Sequence, residues 1–484
     1  MVVDADLRVP QPDALLIGGE WRPSDGGALT PVISPSTEEV VAEVVMPSVR
    51  DAEAAAAAAA EGYQGDWPRW AVGLRKEVCA RFCERMEERL DEIGNVWAVE
   101  AGMTVRWSRT LHRFAAATAW RGALDAVEQT LAPEIRSTPV GEVRIEHAPG
   151  GPVLAIMPYN GPLATIGSKV VPALLAGTSV VVKAAPESAL MLRIVAECAA
   201  EAGFPPGVVS FLAGDVEVSR HLVRDPRLEM ISFTGGTKAA SDILCQSAAH
   251  MPRTVFELGG KSPAVLLEDV DLDQALRSLV AGAMSGSGQV CAALSRILVP
   301  ASRHDEIVAV LADAYRSLRI GLPRSKDTDH GPLSNRTSLE RTEGFVETAL
   351  SEGASVVCGG RRPEAFPKGY FYEPTLLTTV DENSTVAQEE VFGPVTAVLT
   401  YDRVDDAIRI ANGTEYGLAA SVYSADRGKA LEVARQIRAG SVALNTFGPT
   451  MAAPFGGVKR SGWGRECGPE GIREFSETKQ VLLG

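Results

Sequence analysis

Five short apolar runs alternate with stretches of helical pattern between residues 151 and 258. The runs read PVLAIMP, TSVVVKAAP, VVSFLAG, MISFTGG and TVFELGG. Apolar runs that alternate with helices predict βαβ units, and such units build a largely parallel sheet. This order is that of a doubly wound nucleotide-binding domain, in which ligands bind at the carboxyl ends of the strands.

A second α/β region follows from about residue 262 to residue 460. Its apolar runs read SRILVP, ASVVCGG, PTLLTTV, VTAVLTY, LAASVYS and SVALN. Two further runs, EVRIEHAP before residue 150 and TKQVLLG at the C-terminus, suit strands but have no helix beside them. A terminal strand without a local strand to pair with indicates a contact between subunits.

Two long helices are predicted before residue 102. The first extends from Ser48, which can cap it, to about Gly62, through an alanine-rich run at 54–60. The second is expected from about residue 72 to residue 101. Cys79 and Cys83 fall on one face of this second helix, and we expect them to be core residues rather than ligands.

The charge and the cysteine content narrow the class of protein. The formal net charge is −15, which argues against nonspecific binding to nucleic acid. Seven cysteines occur without a CxxC pair or a Cys/His cluster of zinc-ligand spacing, so we expect no metal and a reducing, cytoplasmic location. The N-terminus lacks the pattern of a secretory signal, and no apolar run approaches the ~20 residues that span a membrane.

Four features could carry chemistry, although each also has a purely structural explanation. The glycine turn FTGGT at 233–237 can admit a phosphate at a helix N-terminus, but an ordinary tight turn has the same composition. Lys183 and Glu257 each end an apolar run, where a solvated lysine or a structural ion pair is common. Cys291 follows a Gly/Ser-rich stretch, where a thiol can be exposed and lowered in pKa, whereas an isolated cysteine is more often a core residue.

These features belong to six motifs that occur in one order along the chain. The motifs are PYNGP at 158–162, FTGGT at 233–237, ELGGK at 257–261, GQVC at 288–291, EVFGP at 390–394 and PFGG at 454–457. With this set the sequence resembles the aldehyde dehydrogenase superfamily, from about Leu16 to the C-terminus. Glu257 also precedes Cys291 by 34 residues, which is the interval usual in that family.

The resemblance implies an α/β fold with a Rossmann-like nucleotide-binding domain, an α/β catalytic domain and a small β oligomerisation flap. On this basis we assign residues 1–128 and 149–258 to the dinucleotide-binding domain and residues 259–460 to the catalytic domain. Residues 129–148 and 461–484 would form the flap. The resemblance further implies a homodimer or a homotetramer, with a small-molecule aldehyde as its substrate.

The resemblance also assigns the catalytic residues. Cys291 would attack the carbonyl carbon, for which a thiolate is the best nucleophile near neutral pH. The Asn160 amide and the Cys291 N–H would stabilise the oxyanion, and hydride would then leave for the nicotinamide. Glu257 would activate the water that hydrolyses the resulting thioester. Lys169 aligns with a family lysine near the asparagine motif, either as a catalytic group or as an ion-pair partner.

The implied cofactor is NAD, with NADP as the alternative. The residues expected to bind it are Met157, Pro158, Lys183, Glu187, Gly235, Gly236, Leu258, Glu390 and Phe392. Members that prefer NAD often carry a glutamate three residues after the lysine at the adenosine ribose. Here Pro186 stands at that position and Glu187 comes one residue later, so the sequence leaves both cofactors open with a slight preference for NAD.

The residues expected to line the substrate tunnel are Gly161, Ser168, Val290 and Phe447. Gly161 stands where an aromatic residue usually lines the tunnel, and Ser168 stands where a tryptophan is often found. We therefore expect a wide entrance and a bulky, branched or hydrophobic aldehyde. The loop at 445–453 contains no Arg or Lys, so an aldehyde that bears a carboxylate is disfavoured unless Arg109 or Arg113 supplies the cation.

Two alternative hypotheses remain open. A CoA-acylating semialdehyde dehydrogenase would pass the thioester to CoA and would lack the general base, so Glu257 argues against it. An inactive aldehyde dehydrogenase-like binding protein would have lost the cysteine, the glutamate or the asparagine, and all three are present. A cysteine peptidase would need a positioned histidine, and none of the six histidines lies in a matched motif.

Overall fold

The computed structural model describes residues 7–483 of the chain, which form three main sheets and a small hairpin. The strands are β1 Ala14–Ile17, β2 Glu20–Pro23, β3 Leu29–Ile33, β4 Val40–Val45, β5 Glu134–Thr138, β6 Gly141–Pro149, β7 Val153–Met157, β8 Val180–Ala184, β9 Val209–Ala213, β10 Met230–Gly235, β11 Arg253–Leu258, β12 Ser262–Leu266, β13 Leu294–Pro300, β14 Ser355–Cys358, β15 Thr375–Thr378, β16 Val395–Tyr401, β17 Ala419–Tyr423, β18 Ser441–Leu444, β19 Gly462–Trp463 and β20 Ser476–Leu482.

Helices cover the faces of the first two sheets. They are α1 Val49–Gln64, α2 Val72–Glu88, α3 Leu90–Ala101, α4 Val105–Ala115, α5 Arg121–Thr130, α6 Pro162–Thr165, α7 Val171–Ala176, α8 Ala189–Ala202, α9 Val216–Arg224, α10 Thr237–Ser247, α11 Leu272–Met284, α12 His304–Arg316, α13 Arg336–Ser351, α14 Thr385–Gln388, α15 Val404–Asn412, α16 Arg427–Ala434 and α17 Gly468–Glu474. Single π-helical turns occur at Ala116–Trp120 and Ile166–Val170.

The first sheet has eight strands in the order β19-β11-β10-β7-β8-β9-β1-β2. The five strands predicted from the apolar runs are its parallel centre, β7 to β11, and their side chains are almost entirely buried. The chain builds outward from β7 to β8 and β9, and then crosses to β10 and β11 on the other side. The strand order therefore reverses between β7 and β10, and a crevice at such a point is where doubly wound sheets bind ligands.

The second sheet has seven strands in the order β14-β15-β16-β13-β12-β17-β18. All six predicted runs of this region are strands, and only β14 is antiparallel to its neighbour. A separate hydrophobic core lies on each face of this sheet. The α/β fold class is therefore confirmed, while the residue ranges assigned to domains stay a prediction.

The third sheet corrects one expectation. The terminal strand β20 does have a partner within the chain, because it pairs antiparallel with β6 from Ser476 opposite Pro149 to Leu482 opposite Val143. Strand β5 pairs with the other edge of β6, which gives the order β20-β6-β5. The two strands are more than 300 residues apart in the sequence, so no local pattern shows the pairing, although the flap assigned to residues 129–148 and 461–484 contains almost all of both strands. Strand β19 at 462–463 joins the first sheet instead, so the segment 461–484 is divided between two sheets.

The first predicted helix is confirmed as α1. The Ser48 side chain accepts hydrogen bonds from the N–H groups of Arg50 and Asp51, and the Asp51 carboxylate accepts the Ser48 N–H in return. This capping box satisfies N–H groups that have no partner inside the helix.

The second predicted helix is wrong as a single element, because α2 and α3 meet at Arg89. The Arg89 guanidinium donates to Glu92 and Glu197, which fixes the break. Cys79 and Cys83 are buried in the core, as predicted. No helix within residues 7–483 is long and apolar enough to cross a bilayer.

Candidate active site

A cavity of about 330 Å³ lies between the carboxyl ends of the first sheet and the loop that precedes β13. It brings together nine of the residues singled out in the sequence: Pro158, Asn160, Gly161, Ser168, Glu257, Leu258, Val290, Cys291 and Phe447. Three candidate catalytic residues and all four candidate tunnel residues are in this set. The cavity is therefore the site at which the chemistry predicted from the motifs can occur.

The loop before Cys291 is fixed by its own glycines and by Gln289. A Cβ on Gly288 would lie 2.2 Å from the Gly393 carbonyl oxygen, and its φ of +72° favours glycine. The buried Gln289 side chain accepts the Ser334 N–H at 3.1 Å and donates to the Gly286 carbonyl at 3.1 Å. These contacts hold the loop from both sides and thereby fix the position of Cys291.

The Cys291 thiol differs from the exposed, acidified thiol expected from its loop. Cys291 is only partly exposed, and burial together with the charges of Glu390 and Glu257 raises the pKa of its thiol to about 12. The direction of this shift differs from the lowered pKa expected from the loop alone. Its largest cause is the burial of the thiol, and the two carboxylates, which come from other parts of the chain, add to it.

Two hydrogen-bond donors lie beside Cys291. The Asn160 side-chain amide donates one hydrogen bond to the Gln289 carbonyl at 2.8 Å, and an amide nitrogen carries a second hydrogen. In the described part of the chain, the Cys291 N–H donates to no other backbone group. The two donors can therefore stabilise the oxyanion that a carbonyl oxygen becomes when the thiol sulfur attacks its carbon.

Glu257 is the candidate base at the end of β11. Its carboxylate is buried, and neither of its oxygens has a hydrogen-bond partner among residues 7–483. Burial and the charge of Glu466 raise its pKa well above the usual range for a carboxyl group. A Cβ on Gly456 would lie 2.7 Å from a Glu257 oxygen, so the PFGG motif leaves the space that this carboxylate occupies.

Glu466 is a site residue that the sequence did not reveal. It is buried in the cavity wall and forms an ion pair with Lys169, whose ammonium also donates to the Ser232 hydroxyl at 3.0 Å. The backbone of Glu466 is held by two hydrogen bonds of 2.7 Å to Phe455. A single glutamate between glycines carries no motif of its own, and only the tertiary pairing shows its place. Lys169 itself does not line the cavity.

The candidate adenosine residues lie outside the cavity, at the end of β8. Lys183 is buried, and burial lowers the pKa of its ammonium to about 8. The charges of Glu187 and Asp215 act in the opposite direction and raise this pKa. The Glu187 carboxylate accepts a hydrogen bond of 2.8 Å from the Asn335 side chain. Asn335 also caps α13, so Glu187 is held by a residue of the second α/β region.

The glycine turn at the end of β10 has the open geometry that a phosphate needs. A Cβ on Gly236 would meet nothing within 4 Å, whereas one on Gly235 would strike the Phe233 ring at 2.4 Å. Gly236 caps the eleven-residue helix α10, so its N–H groups point out at the N-terminal end. The turn fits a pyrophosphate between the ends of β10 and β7, where Met157 lies.

The remaining cofactor candidates face the same cleft from the second region. The Glu390 carboxylate accepts the Gly260 N–H at 3.1 Å, and burial raises its pKa. A Cβ on Gly259 would lie 2.1 Å from a Glu390 oxygen, so the ELGGK glycines admit this carboxylate. Phe392 has a φ of +55° and meets the Tyr159 ring edge-to-face at 6.3 Å.

The wall of the cavity is mostly apolar. Its large side chains are Trp107, Leu111, Phe114, Phe447, Met451 and Phe455, and its lining contains no Lys, Arg or His. Trp107, Leu111 and Phe114 share one face of α4. Arg109 lies on another face and pairs with the Asp91 carboxylate at 3.1 Å, and Arg113 is exposed. Neither arginine therefore supplies a cation to the cavity.

Comparisons with known proteins agree with this arrangement. The family model described as the aldehyde dehydrogenase family matches residues 21–481. A geranial dehydrogenase of Castellaniella defragrans is 36% identical over 97% of this chain and 98% of its own length. A crystal structure of a Mycobacterium tuberculosis aldehyde dehydrogenase with NAD+ has a TM-score of 0.96 and 37% identity, and covers 99% of each chain.

A betaine aldehyde dehydrogenase of Staphylococcus aureus, also with NAD+, has a TM-score of 0.94 and 31% identity, over 97% of this chain and 94% of that one. The chain belongs to the aldehyde dehydrogenase family. Among its described residues there is no cluster of three or more His, Cys, Asp or Glu side chains that could hold a metal ion.

The buried ion pair gives a stability prediction. Lys169→Met leaves the Glu466 carboxylate buried and unpaired, which should cost about 3–5 kcal/mol in the free energy of unfolding. Adding Glu466→Gln removes the uncompensated charge and should recover part of that loss. The measurement is urea unfolding of the three proteins.

The matched control is Lys76→Met, which breaks an exposed pair with Glu128. We expect a change of about 0–1 kcal/mol there. A Lys169→Met variant as stable as the Lys76→Met variant would show that the buried pair does not hold this region together.

Proposed function

We propose that the chain oxidises an aldehyde to the free carboxylic acid with NAD+, through a covalent adduct on Cys291. The observation that carries this proposal is the single cavity in which Cys291, Asn160 and Glu257 meet. The NAD+ complexes of the two similar crystal structures support the cofactor.

The first step is attack of the Cys291 sulfur on the carbonyl carbon. The thiol proton leaves to solvent water as the bond from sulfur to carbon forms, so the Glu257 carboxylate stays free to act in the later step. The carbonyl oxygen becomes an oxyanion that accepts hydrogen bonds from the Asn160 amide and the Cys291 N–H. Loss of one such donor commonly costs about 10²–10³ in rate.

The cofactor residues fit NAD+ from three sides. Lys183 and Glu187 would hold the adenosine ribose, and Gly235 and Gly236 would lie under the pyrophosphate. Glu390 would accept hydrogen bonds from the nicotinamide ribose. Phe392, with Met157, Pro158 and Leu258, would pack near the nicotinamide. The chemistry that NAD+ supplies when bound is hydride acceptance, which leaves the substrate as a thioester of Cys291.

Hydrolysis of that thioester is assigned to Glu257. Its carboxylate takes a proton from water, the water oxygen attacks the thioester carbon, and the Cys291 thiolate leaves. The nearby charge of Glu466 raises the pKa of Glu257 and makes it a stronger base, while the charge of Lys169, which pairs with Glu466, lowers that pKa and favours the ionised carboxylate. The product is the carboxylic acid.

The two alternative hypotheses explain the site less well than hydrolysis by Glu257 does. A CoA-acylating enzyme would have no use for a buried carboxylate as a base for water, and Glu257 lines the same cavity as Cys291. A binding protein without activity would have no need of all three groups in one cavity. The catalytic assignment therefore explains more of the arrangement than either alternative.

The proposed substrate is a bulky or hydrophobic aldehyde without a carboxylate. The apolar wall and the lack of a cation in the cavity lining support this class over aldehydes that carry a carboxylate. Gly161 and Ser168 leave the cavity wide where a larger side chain would narrow it. A relative named geranial dehydrogenase is consistent with a long apolar chain at this position.

We further propose a cytoplasmic homodimer or homotetramer that prefers NAD over NADP. Glu187, held by Asn335, would repel a 2′-phosphate at the adenosine ribose. All seven cysteines are free, which suits a reducing compartment. The third sheet has open edges at β5 and β20 and exposed apolar side chains at Ile135, Val140 and Leu482, which supports a role for the flap in assembly.

The function is tested with one variant and its matched control. Cys291→Ala should abolish NADH formation with an aldehyde, because the proposed nucleophile that attacks the carbonyl carbon is removed. Cys245→Ala, at an exposed cysteine away from the cavity, should leave the rate unchanged. Both are read at the NADH absorbance, and the products are separated with and without CoA.

Free acid formed at the same rate with or without CoA is the expected result. Acyl-CoA as the main product would establish the CoA-acylating alternative. Full NADH formation by Cys291→Ala would show that Cys291 is not the nucleophile.

The width of the cavity gives a substrate prediction. Gly161 has an extended φ of −167°, and a Cβ there would meet Leu111 and Ala164 only at ordinary contact distances of 3.9 and 4.0 Å. Gly161→Phe should therefore fold and narrow the tunnel. We expect kcat/KM for geranial to fall by about 10–200-fold, with little change for acetaldehyde. A wild-type enzyme that prefers acetaldehyde to larger aldehydes would contradict the proposed substrate class.

A further inference from the structure

Two π-helical turns pack against one another behind the cavity. The first, Ala116–Trp120, separates α4 from α5, and the second, Ile166–Val170, separates α6 from α7. A single π turn inserts one residue into a helix and often occurs at a functional site. Because each residue of an α-helix turns about 100°, the insertion changes the direction of every side chain that follows it.

The contact between the two turns is formed by Trp120 and Gly167. A Cβ on Gly167 would lie 2.2 Å from one ring carbon of Trp120 and 2.4 Å from its ring nitrogen. The same Cβ would lie 3.0 Å from the Ala119 side chain. No side chain fits at residue 167 unless the tryptophan or the second turn moves.

The position of the Trp120 ring is set by packing alone. The ring is fully buried, and its N–H has no hydrogen-bond partner among the described residues. Leaving a buried donor without a partner is energetically unfavourable. A ring that bears this cost is held by the shape of its surroundings, and the close approach of Gly167 is part of that shape.

The second turn carries two groups of the proposed mechanism on adjacent residues. Ser168 faces the cavity, whereas Lys169 points away from it to the Glu466 carboxylate and the Ser232 hydroxyl. The first turn follows α4, which supplies Trp107, Leu111 and Phe114 to the cavity wall. The Trp120–Gly167 contact therefore joins the wall of the tunnel to the lysine behind the base.

We propose that Trp120 is a positioning residue, which sets the second π turn through Gly167 and thereby holds the Lys169 ammonium on Glu466. This proposal rests on the proposed function, in which the Glu257 carboxylate is the base for water. A displaced turn would move the Lys169 ammonium, whose charge lowers the pKa of Glu257 and so favours the carboxylate form that accepts the proton. The step affected is then thioester hydrolysis, in which water gives its proton to Glu257, and not the earlier attack by Cys291.

Gly167→Ala tests the contact directly. The added methyl group should push the second turn away from the Trp120 ring. We expect steady-state kcat to fall by about 10²-fold, since a displacement of about 1 Å in a catalytic group can cost that much. The first turnover of NADH should keep the wild-type rate, so a burst of one NADH per active site should precede the slow phase.

The matched control is Gly122→Ala, two residues after Trp120, where a Cβ would meet nothing within 4 Å. This variant should keep the wild-type kcat and burst. A role in folding alone would lower the thermal midpoint of Gly167→Ala without separating the first turnover from the later ones.

The same substitution made in a Trp120→Leu protein shows whether the Trp120 ring causes the effect of Gly167→Ala. In Trp120→Leu the space next to residue 167 is larger, so the added methyl group has room. We expect Trp120→Leu to lower steady-state kcat, and Gly167→Ala to cause no further loss in that background, although it is harmful beside tryptophan. Such dependence on the neighbour is the signature of two residues in contact.

Three outcomes would overturn the proposal, and they separate it from the proposed function. An active wild type with an unaffected Gly167→Ala variant would reject the positioning role alone. A Gly167→Ala variant that loses the first turnover and the later ones equally would place the contact in the attack step instead. A wild type that forms no acid would reject the proposed function and this inference with it.

Discussion

The buried ion pair between Lys169 and Glu466 is the interaction on which the rest of the site depends. The Lys169 ammonium pairs with the buried Glu466 carboxylate. Glu257 is a second buried carboxylate, and it is close enough to Glu466 for that charge to raise the pKa of Glu257. Removal of the ammonium would leave two unpaired acids in a low-dielectric interior, where each carries a large desolvation cost. The pair also joins the helix after the asparagine motif to the segment after the PFGG motif, so charge and fold are stabilised together.

The same electrostatics set the resting protonation of the site. Burial and neighbouring carboxylates raise the pKa of both Cys291 and Glu257, so the protein without substrate favours a neutral thiol. In the proposed reaction the thiol therefore loses its proton only as the sulfur attacks, and Glu257 acts later on water. The proposed oxyanion donors lie apart from both carboxylates, on Asn160 and on the backbone of the loop that Gln289 holds.

Local patterns in the sequence predicted much of this molecule. Eleven of the fifteen strands in the first two sheets follow from apolar runs, whereas β1, β2, β12 and β19 were not predicted. The meeting of Cys291, Glu257 and Asn160 follows from the family resemblance that the motifs carry. Features that depend on contacts between distant parts of the chain could not be predicted from local patterns. Strand β20 pairs with β6 across most of the chain, Arg89 breaks a helix by binding Glu197, and Glu466 enters the site through Lys169. The raised pKa of Cys291 likewise comes from burial, and then from charges on distant segments, neither of which a local pattern shows.

The central claim is that Glu257 hydrolyses an acyl group held on Cys291. Intact-protein mass spectrometry of Glu257→Gln, mixed with aldehyde and NAD+ and quenched in acid, tests it most directly. The account predicts one added acyl group per chain, located on the peptide that contains Cys291, which persists for many wild-type turnovers. A variant that stays unmodified while it forms acid at the wild-type rate would contradict the account.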